Sequence, residues 1–349
     1  MLTEHDVIWA YRLCLDREPE SESVIQEWIK NANDRTSLTR ELITSNEYNA
    51  KNGALRSPFW HYHTSFDPVA LIRQYSRQGL VPSPDHLTNF LGVKVPPQVF
   101  PPILSSRVGT VEPLPLPANW HADIAEWGSC LRAVDLSGER FVMLELGCGW
   151  GCWMNNLGVA ARSKGKDFRL YGIEAAEEHL GLARQALSDN GIADSHFKLV
   201  NGIAGKSASV ALFPKVQSGA TNWGGTAIFN PSTEQLEGAR RSGDYVAIPI
   251  VDIAGLLKNE PYVDLLHVDI QGAELDLLRE VFDVLCEKVR CVVIGTHSKS
   301  IEAGLFDLFL ADKRWRCEME RGALYEITNG WPGLIVDGVQ AWRNSGLSV

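Results

Sequence analysis

Apolar and polar positions along this chain fall into three textures. In residues 1 to about 52, Val7, Ile8, Tyr11 and Leu15 recur at helical spacing until Arg17-Glu18-Pro19 interrupts them. Ser21 is placed to cap a second helix carrying Val24, Ile25, Trp28 and Ile29, and Ser37 to cap a third carrying Leu38, Leu42 and Ile43. These residues read as a small all-helical domain. From about 53 to 118, prolines at 82, 84, 96, 97, 101, 102, 113, 115 and 117 exclude long regular elements. Phe59, Trp60, Tyr62, Phe66, Tyr75, Phe90 and Phe100 nevertheless give more apolar surface than a flexible linker carries. We expect an ordered strap there, with one helix from about Pro68 to Arg77. The third texture, residues 119–349, opens with a helix from about Asn119 to Leu136.

Short apolar runs then alternate with helical periods. The runs are Phe141–Leu144, Phe168–Ile173, His196–Val200, Val263–Asp269 and Cys291–Gly295, with helices over Cys152–Ser163, Ala176–Asn190 and Ile301–Ala311. Runs that are apolar throughout read as parallel strands buried on both faces, so the fold class is α/β, with a doubly wound sheet. Further strands are expected at Ala208–Phe213, Tyr245–Ile250, Arg314–Met319 and Ala323–Ile327. A last hairpin over Leu334–Trp342 would turn at Asp337-Gly338. The stretch from Lys206 to Ile250 is longer than a plain connection requires. Its segment from Ser218 to Gly225, with Trp223, suits either a binding loop or a surface excursion.

The first strand of the α/β part leads into Glu145, then Gly147, Gly149 and Gly151, then a helix. Glycines there let the backbone turn and let a ligand approach closely, and the helix start offers free amides. A dinucleotide fingerprint would place its third glycine one position later. Glu174 ends the second strand, where a carboxylate can accept from two ribose hydroxyls.

Glu145-x-Gly147-x-Gly149-x-Gly151 followed by Glu174 resembles the motif of class I S-adenosylmethionine-dependent methyltransferases. The lead-in at Val251-Asp252 and the strand end Asp269-x-x-Gly272-Ala273-Glu274 resemble the FkbM family within that class, over about residues 141–328. The family's usual glutamate before the glycine is Gln271 here, so no carboxylate role is assigned there. The resemblance implies a seven-stranded, Rossmann-like sheet whose last strand is antiparallel. It also implies S-adenosyl-L-methionine as methyl donor, with S-adenosyl-L-homocysteine as product. Cofactor contacts would come from Glu145, Gly147, Gly149, Trp150, Gly151 and Glu174, from Asn201 and Gly202 toward the adenine, and from Asp269. It further suggests O-methylation of a sugar, glycan precursor or natural product. The N-terminal string YRLCLDREPESESVIQEWI with LITSNEY resembles a helical domain found beside glycan-modifying enzymes, open to a protein partner through residues 1–52.

Composition narrows the classes. No apolar run in the 349 residues approaches a membrane span, and the first residues lack a signal-peptide pattern. A net charge of −10 disfavours a nucleic-acid backbone as partner. Seven scattered cysteines suggest reduced thiols and a cytoplasmic protein, with Cys148 and Cys152 as packing residues, and homo-oligomerisation stays open. Three polar residues fall at carboxyl ends of strands: Asp269, Thr296 and His297. His297 is the candidate general base. Asp269 would hold the cofactor's ammonium, orient His297, or bind a divalent metal with it; that metal is open. His267, inside an apolar strand, reads as a satisfied core histidine, and His61 and His63 as packing or rim residues. Two other readings compete: an inactive methyltransferase fold that docks in glycan assembly, and an NAD-dependent oxidoreductase.

Overall fold

The computed structural model describes residues 2–52, 57–206, 209–215 and 223–347. The chain forms two compact units, Met1–His61 and Tyr62–Val349. The first is helical, with Glu4–Leu15, Glu22–Asn31, Arg35–Thr44 and Asn46–Asn52. Val7, Tyr11, Leu15, Ile25, Leu38 and Leu42 form its core, the apolar positions the helical spacing marks out. The third helix is capped by Asp34, not Ser37. Ser37 sits three residues in and returns the hydrogen bond to the Asp34 amide, a reciprocal box in which the first acceptor wins the cap.

In the second unit the main sheet contains seven principal strands: β1 (Arg140–Leu146), β2 (Asp167–Glu174), β3 (Phe197–Asn201), β4 (Val263–Val268), β5 (Val289–Thr296), β6 (Trp315–Arg321) and β7 (Gly338–Asn344). Their spatial order is β3-β2-β1-β4-β5-β7-β6, with β7 antiparallel to both its neighbours. This is the seven-stranded class I sheet with an antiparallel last strand that the resemblance implied. A two-residue strand, His63–Thr64, extends it beyond β6, so His63 lies on a sheet edge. Here the structure corrects the strand assignment. Leu324–Thr328 does not join the main sheet but pairs with Trp331–Val336 in a hairpin carrying exposed Ile327, Trp331 and Ile335. The expected hairpin over Leu334–Trp342 is absent, because Gly338 onward enters the sheet and its side chains are buried there.

Helix α1 (Ile124–Leu136) begins after Asp123, whose carboxylate accepts from the Ala125 and Glu126 amides, five residues later than expected from Asn119. Helix α2 (Cys152–Ser163) follows β1, and α3 (Glu177–Asp189) follows β2. On one face of the sheet Val142, Leu144 and Leu146 pack with Leu266, Val268, Val292, Ile294 and Trp342. The alternate residues Glu145 and His267 are register partners across β1 and β4, and they point to the opposite face.

The strap residues from Tyr62 to Ala118 are ordered on this unit. Helix Pro68–Tyr75 packs on α1 closely enough that a β-carbon on Gly128 would lie 2.6 Å from Pro68. Asn190 holds the Lys94 backbone through both its amide and its carbonyl, at 2.8 and 3.0 Å. Between β3 and β4, Val210–Pro214 pairs antiparallel with Tyr245–Asp252, and Ile203–Gly205 pairs parallel with the same strand. Ala208 of the expected strand and residues 218–222 of the expected loop lie outside the described residues. A helix not expected from the sequence, Thr233–Ser242, is boxed by Ser232 and Gln235 and closed by Gly243.

Candidate functional site

The cleft at the carboxyl ends of β1, β2 and β4 is built by the glycine loop. The amides of Gly147 and Cys148 donate to the carbonyl of Ile173 at 3.0 and 3.1 Å, pinning the loop to β2. Gly147 adopts φ +69°, and a β-carbon there would lie 2.2 Å from the carbonyl oxygen of Asp269, so the loop packs directly on the end of β4. Glu174 accepts from the Gly149 amide at 2.9 Å and from the Ala176 amide at 2.8 Å. The cleft spans about 770 Å³ when the solvent space at its mouth is included, and its walls include Gly147, Gly149, Glu174, Gly202 and Asp269.

Four residues expected at a cofactor do not line it. Glu145 is buried beneath the loop, where its carboxylate accepts from the Trp153 and Met154 amides at the start of α2. Burial pushes that carboxyl up to about 7, against the pull of His267 and of the two amides. Trp150 turns away and stacks on Trp120, and Gly151 faces Asn155 and Ala183. Asn201 spends its amide on the carbonyls of Glu174 and Ala175, at 3.1 and 2.9 Å, and so shapes the wall without facing the space. Sequence spacing identifies the loop but not which way each side chain turns.

Trp223, from the segment expected as a binding loop or a surface excursion, lines the cleft together with His179, to which no role was assigned. Trp223 stacks on His179, ring centroids 4.1 Å apart and planes 10° from parallel. Its edge reaches within 3.1 Å of where a β-carbon on Gly149 would stand. His179 Nδ1 lies 3.5 Å from Glu174 Oε1. Apolar side chains of Ile203, Phe213 and Phe229 complete that end.

Beyond Asp269, β5 delivers His297 into a cluster of acids. His297 Nδ1 lies 2.9 Å from Glu274 Oε1, and Nε2 lies 3.4 Å from Asp269 Oδ1 and 3.7 Å from Asp337 Oδ1. These approaches are close enough for charge attraction, yet both ring nitrogens are buried without an aligned hydrogen-bond partner among the described residues. Glu274 Oε1 accepts from the Ile270 and Gly272 amides at 3.2 and 2.9 Å, which fixes the carboxylate. Burial alone would lower the His297 pKa, but Glu274 and then Asp269 outweigh it and raise it to about 9. Burial pushes Asp269 up to about 6, an effect that solvent at its partly exposed side works against. Gln271 takes a left-handed backbone (φ +58°) and its amide donates to Asp269 Oδ1 at 3.4 Å.

Thr296 points away from the cluster, donating to Glu302 in the interior. His267 is buried and its Nε2 lies 3.0 Å from Glu126 Oε1, which also accepts from the Trp153 indole. Glu274 and Asp337 are the residues whose part sequence reasoning missed. The acid closing D-x-x-G-A-E was a visible signal for the first; nothing local marked the second, because it is brought in by β7, which pairs beside β5 with Gly338 opposite Thr296 but is distant from it in sequence.

Residues 138–315 match the methyltransferase FkbM domain family. A protein of Jannaschia sp. (strain CCS1) named "Putative methyltransferase" is 41% identical over 273 residues, which is 78% of this chain and 97% of that protein. Among solved structures, the methyltransferase FkbM from Methylobacillus flagellatus KT is 14% identical, with a TM-score of 0.38, over 63% of this chain and 54% of that one. The C-terminal domain of precorrin-6Y C5,15-methyltransferase from Rhodobacter capsulatus is 12% identical, with a TM-score of 0.35, over 65% and 91%.

Proposed function

This chain belongs to the methyltransferase FkbM family, and from that premise we propose that it transfers a methyl group from S-adenosyl-L-methionine to a hydroxyl of a sugar, glycan precursor or natural product. The observation that carries the reading is a juxtaposition. A cleft walled by glycine-loop backbone and the Glu174 carboxylate meets, at Asp269, a histidine set among acids. The first half suits a nucleoside with vicinal hydroxyls, and the second suits the handling of a hydroxyl proton.

When bound, the cofactor supplies an electrophilic methyl on a sulfonium. The roles assigned to the chain follow from position. Glu174 would accept from the ribose hydroxyls. Gly147 and Gly149 would offer main chain to the ligand, in a loop that packs on Asp269 and Trp223 only because neither glycine carries a β-carbon. Gly202, on the wall that Asn201 shapes, would face the adenine, and Asp269 would face the amino-acid end. His297 would take the proton that an acceptor hydroxyl loses as it is methylated, the bound cofactor supplying the methyl group. With its pKa raised to about 9, burial being outweighed by the surrounding acids, that imidazole is a strong proton acceptor and mostly protonated at pH 7. Glu145, Trp150 and Gly151 support the loop from behind.

Calorimetric titration with S-adenosyl-L-homocysteine tests the reading. Wild-type protein should bind in the micromolar range, and Glu174→Ala should weaken binding by about 100-fold, the equivalent of two charge-assisted hydrogen bonds. No binding at high micromolar ligand would refute methyl-donor use and favour the inactive docking fold. Labelled methyl transfer to a panel of nucleotide sugars and glycan precursors then identifies the acceptor.

A further inference from the structure

We infer that Asp269, Glu274 and His297 form a binding site for a divalent transition-metal cation. One donor atom from each lies within 4.8 Å of the other two. Donors at about 2.0–2.2 Å from an ion stand at most about 4.4 Å apart across it, so the three need close in by only a few tenths of an ångström.

A second observation points to a ligand. Glu274 is wholly buried, its Oε1 is held by two backbone amides, and its Oε2 has no hydrogen-bond partner among the described residues. Both nitrogens of His297 are likewise buried without a hydrogen bond. Unsatisfied buried polar atoms each cost about 1–3 kcal/mol, and an ion would satisfy the free carboxylate oxygen and one ring nitrogen together. The charges agree. Three carboxylates, counting Asp337 at 3.7 Å, surround one imidazole. The donor set of two carboxylates and an imidazole suits Mn²⁺, Fe²⁺ or Zn²⁺ better than Mg²⁺, which prefers oxygen alone.

Placement gives the ion something to do. Asp269 belongs both to this cluster and to the wall of the cleft, and a β-carbon on Gly295 would stand 3.5 Å from its Cγ, so β5 passes close beside that carboxylate. The ion would therefore stand at the acceptor end of the cleft and hold an acceptor oxygen there. That role rests on the proposed methyl transfer, whereas ion binding does not. With the ion bound, His297 serves as its ligand, and the ion, in place of a free imidazole, would ease loss of the acceptor's proton.

The test uses the full chain, stripped with a chelator and titrated with Mn²⁺ by calorimetry and by electron paramagnetic resonance. One equivalent should bind with micromolar affinity. Asp269→Asn and His297→Ala should each weaken binding by about 100-fold or more, and Asp337→Asn by about tenfold. Asp269→Asn is partly exposed and should fold even if Glu274→Gln does not, and melting curves verify this. Absence of stoichiometric Mn²⁺ binding, or binding indifferent to all these changes, overturns the site. Titration of the stripped protein with S-adenosyl-L-homocysteine reports separately on the cofactor reading.

Discussion

Gly147 offers a prediction whose size can be worked out from two glycines with the same backbone. Gly147 and Gly165 have φ of +69° and +71°. Placing an alanine in that left-handed region costs about 1–2 kcal/mol at either position. At Gly165 the new β-carbon meets nothing within 4 Å, so the backbone cost is the whole cost. At Gly147 the same atom would stand 2.2 Å from the Asp269 carbonyl oxygen, and both partners are main chain. Restoring van der Waals contact means parting loop and strand end by more than about 1 Å. That movement strains the bonds from Gly147 and Cys148 to Ile173, worth about 1 kcal/mol each. We expect Gly165→Ala to cost about 1–2 kcal/mol and Gly147→Ala about 3–4 kcal/mol in urea unfolding followed by circular dichroism. Because the loop is also a cleft wall, Gly147→Ala should weaken S-adenosyl-L-homocysteine by about tenfold or more, a shift of about 1.4 kcal/mol, and Gly165→Ala should leave it unchanged. Equal destabilisation of the two variants, with equal affinity, would refute the steric reasoning.

Two further outcomes concern the interior. Burial opposes charge on both Glu126 and His267, yet their mutual contact wins, lowering the acid's pKa and raising the histidine's. The acid's contribution is present above its ordinary 4.5 and lost as pH falls through its depressed folded value; the histidine's is present below 6.5 and lost as pH rises through its raised one. Glu126→Gln should therefore cost about 3–5 kcal/mol, most between these two ordinary values, and melting temperatures from pH 4 to 9 would show whether the gap to wild type narrows on both sides. Trp342 on β7 is 1% exposed and stacks on Phe309 at 4.9 Å. Trp342→Ala should lose about 3–5 kcal/mol; a loss under about 1 kcal/mol would mean that β7 is not a packed interior strand.

The stretch from Arg140 to Asn201 was legible almost residue by residue, because apolar runs, glycines and acids there are local signals of strand, turn and strand end. Helix Thr233–Ser242 was missed although Ser232 and Gln235 carry a capping signature, since its long polar face hid the helical period. Strand partners were less legible. The runs at Leu324–Thr328 and Gly338–Asn344 are both plausible strands, and nothing in an alternation of apolar residues says which one enters the sheet. The site divided in the same way. The glycine loop, Glu174, Asp269 and His297 announce themselves by position after strands. The outward turn of Trp150, the inward burial of Glu145 and the arrival of Asp337 depend on register between distant segments.

The position of β7 has a consequence for the order in which the protein can be made. β5 ends at Thr296 and β6 at Arg321, yet neither pairs with the other, since the strand that joins them begins only at Gly338. A chain emerging from the ribosome therefore carries β5 with one backbone edge unpaired while the residues between are translated. Such an edge is a template for pairing with a neighbouring nascent chain. Slow translation through this interval should favour aggregation on polysomes, and a holdase chaperone should matter most during it.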